Sequence, residues 1–77
     1  DLLYHESTFL HDSLQRAEET RHSTALQAGL TAKEAQVKQL LIGHYSSRYA
    51  NLTPLLEEAQ TAFGNTILAV EGQTYQF

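Results

Sequence analysis

Hydrophobic and polar positions follow two spacings along this chain, and the spacing predicts the elements. Leu2-Leu3-Tyr4, ending at His5, and the run within Lys38 to Ile42 are short and unbroken, as in strands covered on both faces. Thr66 to Val70 reads as a third strand, after which Gly72 turns the chain into an extended segment from Thr74 to Phe77. The intervening stretches repeat at helical spacing. Asp12 to Thr20 predicts a short helix with Leu14 and Ala17 on one face and Asp12 or Ser13 as its cap. The next helix is announced by Thr24 with Gln27, a capping-box pair, and by the stripe Ala25, Ala28, Ala32 and Ala35, small enough for close approach to a sheet.

Gly29 interrupts that stripe, and Thr31 with Glu34 repeats the capping pattern, so a break near Gly29-Leu30 is the alternative to one continuous helix. Continuity is favoured: the alanines stay in phase, and one glycine costs only about 1 kcal/mol relative to alanine. The last helix has Thr53 as N-cap, Pro54 in its first position and Glu57 and Glu58 near its positive end. Leu55, Leu56, Ala59, Ala62 and Phe63 form its buried face, and Gly64 stops it. Strands separated by helices favour parallel βαβ connections, which bring the carboxyl ends of the strands at His5 and His44 to one edge of a sheet.

Composition narrows the possibilities. At 77 residues the chain is one small domain at most. Without cysteine it has neither disulfide staples nor thiolate metal sites, so any metal falls to His, Asp or Glu, and the absence suits a cytoplasmic protein. No apolar stretch is long enough to span a membrane. A chain that begins at Asp1 and contains no Met reads as an excised piece. The net charge of −4 argues against a broad basic face for nucleic acid, and the five cationic residues, Arg16, Arg21, Lys33, Lys38 and Arg48, are dispersed. If RNA is the substrate, most of the grip must come from elsewhere.

Three histidines open short polar clusters: His5-Glu6-Ser7-Thr8-Phe9, His22-Ser23-Thr24 and His44-Tyr45-Ser46-Ser47-Arg48-Tyr49. Each has a structural reading. The first can be a turn in which Ser7 and Thr8 bond locally and Glu6 is solvated; in the second, Ser23 or Thr24 can simply cap a helix. A group at the end of a buried strand is also held rigidly where a ligand can reach it, so His44 can present an imidazole nitrogen to a metal. The start of the helix after His22 is a place for a phosphate. Arg48 and Tyr49 can contact an RNA phosphate or base, or form an exposed structural pair with Tyr49 against the last helix. His11, beside Asp12, reads as a surface or capping residue.

The three clusters, in this order and spacing, resemble the C-terminal part of ribonuclease Z, a zinc endonuclease family of the metallo-β-lactamase fold, over nearly the whole chain. The resemblance implies an α/β architecture, the C-terminal part of an αββα sandwich, with residues 1–77 as a single segment. The half carrying the His-x-His-x-Asp-His motif, a further His and a bridging Asp lies upstream. It implies that His44 is the last protein ligand of a two-zinc centre whose ions activate the attacking hydroxide. Glu6 then orients His22, the proton donor to the departing ribose oxygen. The helix start at Ser23 and the cation at Arg48, on their own chemistry, are the expected substrate contacts. The implied substrate is precursor tRNA, cut at its 3′ trailer and gripped by a separate arm. The implied enzyme is a homodimer, and the 77-residue piece alone is expected to be inactive. Ser7 stands where the family commonly has Ala, and Arg21 where a small or apolar residue is expected. Another hydrolase of the same fold and a non-catalytic assembly module are the competing classes.

Overall fold

The computed structural model describes residues 1–69, so the predicted Gly72 turn and the segment 74–77 lie outside the described residues. The elements run β1 (Leu2–Glu6), a 3₁₀ turn (His11–Ser13), α1 (Leu14–Thr20), α2 (Ala25–Ala35), β2 (Gln39–Gly43), α3 (Thr53–Ala62) and β3 (Thr66–Leu68). The three strands form one parallel sheet in the order β1-β2-β3. His5 pairs with Ile42 and Glu6 with Gly43, so the ends of β1 and β2 share an edge, as the alternation of strand and helix predicts.

One face of the sheet is the core. Leu40 and Ile42 lie fully buried against Ala25, Ala28 and Ala32 of α2 and Leu55 and Ala59 of α3, with Leu3 and Leu68 packed at the margin. The opposite face is open: Leu41 is buried between its register partners Tyr4 and Ile67, which are 50% and 37% exposed. The apolar run of the central strand β2 is thus buried on both faces, as its unbroken pattern predicts, whereas the flanking β1 and β3 leave the second face exposed at Tyr4 and Ile67.

The helices show which local signals were sufficient. Thr24 and Gln27 form the full capping box, each side chain bonding the other's backbone N–H. The helix continues through Gly29. Its reason is packing against α3, where a Cβ at Gly29 would lie 2.5 Å from the Ala59 carbonyl oxygen. The small-residue stripe thus serves a helix–helix approach as well as the sheet, and Ala35 at its end is exposed.

Other boundaries differ from the sequence reading. The first helix opens with the 3₁₀ turn, and neither Asp12 nor Ser13 makes a side-chain cap. Helix α3 begins at Thr53, so Pro54 is second in the helix, and the Asn51 side chain accepts from the Thr53 N–H. Glu58 lies beyond the first turn and reaches outward. Its carboxylate accepts from the backbone N–H of His11 and of Leu26, closing the 3₁₀ turn and the first turn of α2 from a neighbouring helix. Phe63 is the extended residue that closes α3, and it still packs against the core.

Candidate functional site

The site is assembled by backbone pairing beyond the formal strands. Ser7 N–H donates to the Gly43 carbonyl at 2.7 Å, carrying the β1–β2 pairing one step past Glu6. The N–H groups of Thr8 and Phe9 then donate to the Ser23 carbonyl at 3.1 and 3.3 Å, and Phe9 bridges Thr24 in parallel. Ser46 N–H donates to the Thr8 carbonyl at 3.0 Å. All three histidine clusters are thereby tied to the segment 6–9, which is why residues far apart in sequence meet.

His44 adopts φ 58°, the left-handed region, where a residue with a Cβ costs roughly 1–2 kcal/mol. It follows Gly43, whose missing side chain leaves room for the Tyr4 ring; a Cβ there would collide with the Tyr4 hydroxyl. The chain thus turns sharply at the strand tip and presents an exposed imidazole. Strained non-glycine backbone of this kind concentrates at functional positions because surrounding contacts hold it.

The ligand-type atoms of Glu6, His22 and His44 lie within 4.8 Å of one another. The His22 and His44 rings stack, with centroids 5.2 Å apart and planes 28° apart, and Phe9 meets His22 edge-on at 6.3 Å. Glu6 Oε2 accepts from Thr8 N–H at 3.2 Å and from the Thr8 hydroxyl at 2.7 Å, while Oε1 accepts from Ser23 N–H. Burial works to raise the Glu6 pKa. The hydrogen bonds from the Thr8 and Ser23 hydroxyls and backbone N–H groups outweigh it and hold the carboxyl below its ordinary value. Glu6 is therefore a charged anchor.

That anchor does not bond His22 directly. His22 Nδ1 lies 3.8 Å from Glu6 Oε2, within ion-pair range but beyond a hydrogen bond. Glu6 holds His22 in place through the next residue, because it grips Ser23 N–H, and the His22 backbone N–H is fixed to the Ala17 carbonyl at 2.8 Å.

Ser23 and Arg48 occupy different environments. The Ser23 N–H and hydroxyl are both engaged with Glu6. Nor does the start of α2 keep donors for an anion: the N–H groups of Ala25, Leu26 and Gln27 go to Phe9, Glu58 and Thr24. The phosphate position expected at this helix start is accordingly filled by the protein's own acceptors. Arg48 is exposed and sits over the Phe9 ring at 5.2 Å, one ring away from His22, with a long contact of 3.4 Å to Ser13 Oγ. Tyr49 is structural, its hydroxyl accepting from Leu10 N–H. His5 turns Nδ1 to the neighbouring Glu6 carbonyl and His11 bonds the Thr24 hydroxyl, so neither joins the cluster.

Two participants have tertiary roles that the sequence does not disclose. Thr8 Oγ1 contacts Glu6 Oε2 and also His44 Nδ1 and carbonyl oxygen, at 2.7, 3.1 and 2.9 Å. A threonine two residues after a glutamate looks like turn chemistry, which its bonds to Glu6 bear out, and nothing local discloses a partner 36 residues away. Phe9, the last residue of the first cluster, forms the wall between Arg48 and His22.

No family model matches the chain. Among curated proteins it is 58% identical over 71 residues to a ribonuclease Z of Azobacteroides pseudotrichonymphae, covering 92% of this chain and 25% of that protein. It is 52% identical over 75 residues to a ribonuclease Z of Cytophaga hutchinsonii, covering 97% of this chain and 24% of that one. Among solved structures it superposes on the metallo-β-lactamase fold protein YhfI from Bacillus subtilis with a TM-score of 0.77 and 34% identity, over 88% of this chain and 27% of that one. The chain spans about a quarter of the length of the curated relatives it matches. Along nearly all of its own length, then, the chain is similar in sequence to ribonuclease Z, and its α/β arrangement is that of a metallo-β-lactamase fold protein.

Proposed function

We propose that the chain is the portion of a zinc-dependent endoribonuclease that contributes one metal ligand and the leaving-group machinery for removing the 3′ trailer of precursor tRNA. The observation that carries this reading is the convergence of Glu6, His22 and His44 within 4.8 Å at one sheet edge, in a chain similar to ribonuclease Z over 92% of its length.

The residues present fit one corner of a metal centre. The exposed His44 has Nδ1 engaged by Thr8, which leaves Nε2 as the atom to offer a metal. Glu6 does not fit as a ligand, since both its oxygens already accept bonds from Thr8 and Ser23. His44 would hold zinc together with ligands from the remainder of a longer enzyme, and zinc, when bound, supplies Lewis acidity toward the attacking water and the phosphoryl oxygens. His22 stands beside His44 to donate a proton to the ribose oxygen as its bond to phosphorus breaks. Glu6 keeps negative charge near His22 and fixes the loop that carries it. Arg48, on the far side of Phe9, meets a substrate phosphate, and Ser23 serves by holding Glu6. The same reading makes the whole enzyme a cytoplasmic homodimer; no described helix is long and apolar enough to cross a membrane.

The experiment compares two variants of the whole enzyme. His44→Ala should lose bound zinc and cleavage together. His22→Ala should keep its zinc and lose roughly 10²–10⁴-fold in turnover of precursor tRNA, the usual contribution of a positioned proton donor. Unchanged turnover in His22→Ala overturns the assignment in favour of another hydrolase of this fold or an assembly module.

A further inference from the structure

The contacts of one hydroxyl determine which nitrogen of His44 carries the proton. Thr8 Oγ1 lies 2.7 Å from Glu6 Oε2, 2.9 Å from the His44 carbonyl oxygen and 3.1 Å from His44 Nδ1. The two oxygens are acceptors only: a carbonyl has no proton, and Glu6, whose pKa is held down by its four donors, is ionised. A threonine hydroxyl has a single proton. Either oxygen, or the two shared, consumes it. None remains for His44 Nδ1, so that contact is a hydrogen bond only if Nδ1–H donates to a lone pair on Thr8 Oγ1.

We infer that Thr8 is a positioning residue that fixes His44 as the Nδ1–H tautomer, leaving Nε2 unprotonated and directed away from Thr8 as the metal-binding atom. The inference deepens the proposed function and rests on it only in the role given to Nε2; the tautomer itself follows from the contacts. Ligating histidines generally have their second nitrogen bonded to a carboxylate, carbonyl or water. Here the carboxylate acts one atom removed: Glu6 takes the Thr8 proton and so makes Thr8 an acceptor for His44. One carboxylate thereby serves both histidines, reaching His22 through Ser23 and His44 through Thr8. Thr8 is 5% exposed, so water has little access with which to replace its hydroxyl.

The test is long-range ¹H–¹⁵N correlation spectroscopy of the histidine rings, on the 77-residue chain, at a pH where the imidazoles are neutral. The expected result is a predominantly Nδ1–H His44, retained in Thr8→Ser and lost in Thr8→Val, which is close to isosteric but has no lone pair to offer. A predominantly Nε2–H His44 in the unaltered chain overturns the inference, as does an unchanged tautomer in a folded Thr8→Val. If Thr8→Val does not fold, the tautomer in the unaltered chain and in Thr8→Ser still decides. Zinc affinity is measured in the whole enzyme as a second readout, with Thr8→Val expected to lose roughly 10–100-fold and Thr8→Ser to stay near the unaltered value. Zinc retained by His44→Ala alongside an Nδ1–H tautomer would sink the metal reading and leave the positioning role of Thr8 intact. The reverse pattern would do the opposite.

Discussion

Replacing Glu6 by glutamine is the perturbation whose outcome follows most directly from the contacts. The carboxylate accepts on both oxygens, from Thr8 N–H and hydroxyl on Oε2 and from Ser23 N–H on Oε1. Glutamine has one oxygen and one NH₂ group, so whichever way it is turned the NH₂ faces a donor. One charge-assisted bond is lost and one half-buried N–H is left without its acceptor. A hydrogen bond to a charged group contributes about 1.5–3 kcal/mol, and an orphaned N–H costs about 1–3 kcal/mol where burial is complete. Because this site is half-buried, Glu6→Gln should destabilise the fold by about 2–3 kcal/mol at neutral pH, measured as a shift in urea midpoint at constant slope.

The pH dependence has a definite sign. The folded pKa of Glu6 lies below its ordinary value of 4.5, so the contribution of the carboxylate is present above that value and is lost as pH falls through the folded pKa. The stability gap between the parent protein and the Glu6→Gln variant should therefore be full at neutral pH and narrow steadily in acid below 4.5. A Glu6→Gln protein within about 0.5 kcal/mol of the parent at neutral pH, the range of an ordinary surface substitution, would refute the view of Glu6 as the anchor of this site. So would a gap that stays constant into acid.

Three further substitutions test the packing. Ser7 is fully buried and its hydroxyl has no partner among the described residues, so Ser7→Ala should raise stability by about 1 kcal/mol. That gain appears as a Tm about 4–8 °C higher in a domain of this size; a fall in Tm would reveal a hydrogen bond to the hydroxyl. Gly29→Ala should cost about 1–3 kcal/mol in chemical denaturation, since its Cβ meets the Ala59 carbonyl and α3 must move, a larger effect than the gain of about 1 kcal/mol in helix propensity. Gln36 ends α2 at φ 58°, exposed, so Gln36→Gly should stabilise by about 1 kcal/mol in the same assay. Unchanged midpoints in either variant would contradict these local arguments.

The elements most legible in sequence were those with redundant local signals. The capping box of Thr24 and Gln27 coincided with an in-phase alanine stripe, and the buried run at Leu40-Leu41-Ile42 is bounded by Lys38-Gln39 before it and Gly43-His44 after it. Convergence of His5-Glu6 and His44 on one edge followed from parallel topology. What escaped was set by tertiary partners. Glu58 looked like a first-turn acid of its own helix because sequence cannot show that α2 and the 3₁₀ turn bring bare N–H groups to it. Thr53 looked like a cap, yet Asn51 two residues earlier supplies the acceptor. The phosphate position expected at the start of α2 vanished for the same reason: the donors were free in the sequence and taken in the fold. The link between Glu6 and His22 is another case: beside the 3.8 Å approach of the two side chains, Glu6 holds the backbone N–H of Ser23, a contact that sequence cannot show.

Glu6, His22 and His44 are far apart along the chain but share one edge, and the proposed division of labour among them can be tested on the leaving group itself. Whole enzyme carrying His22→Ala would be given precursor tRNA with the bridging 3′ oxygen at the cleavage site replaced by sulfur, a leaving group that departs as thiolate without a proton. If His22 is the proton donor, the variant cleaves the sulfur-bridged substrate close to the rate of the unaltered enzyme while remaining roughly 10²–10⁴-fold slow on the oxygen-bridged one. An equal deficit on both substrates would contradict it, because His22 would then be needed for something other than protonating the departing oxygen.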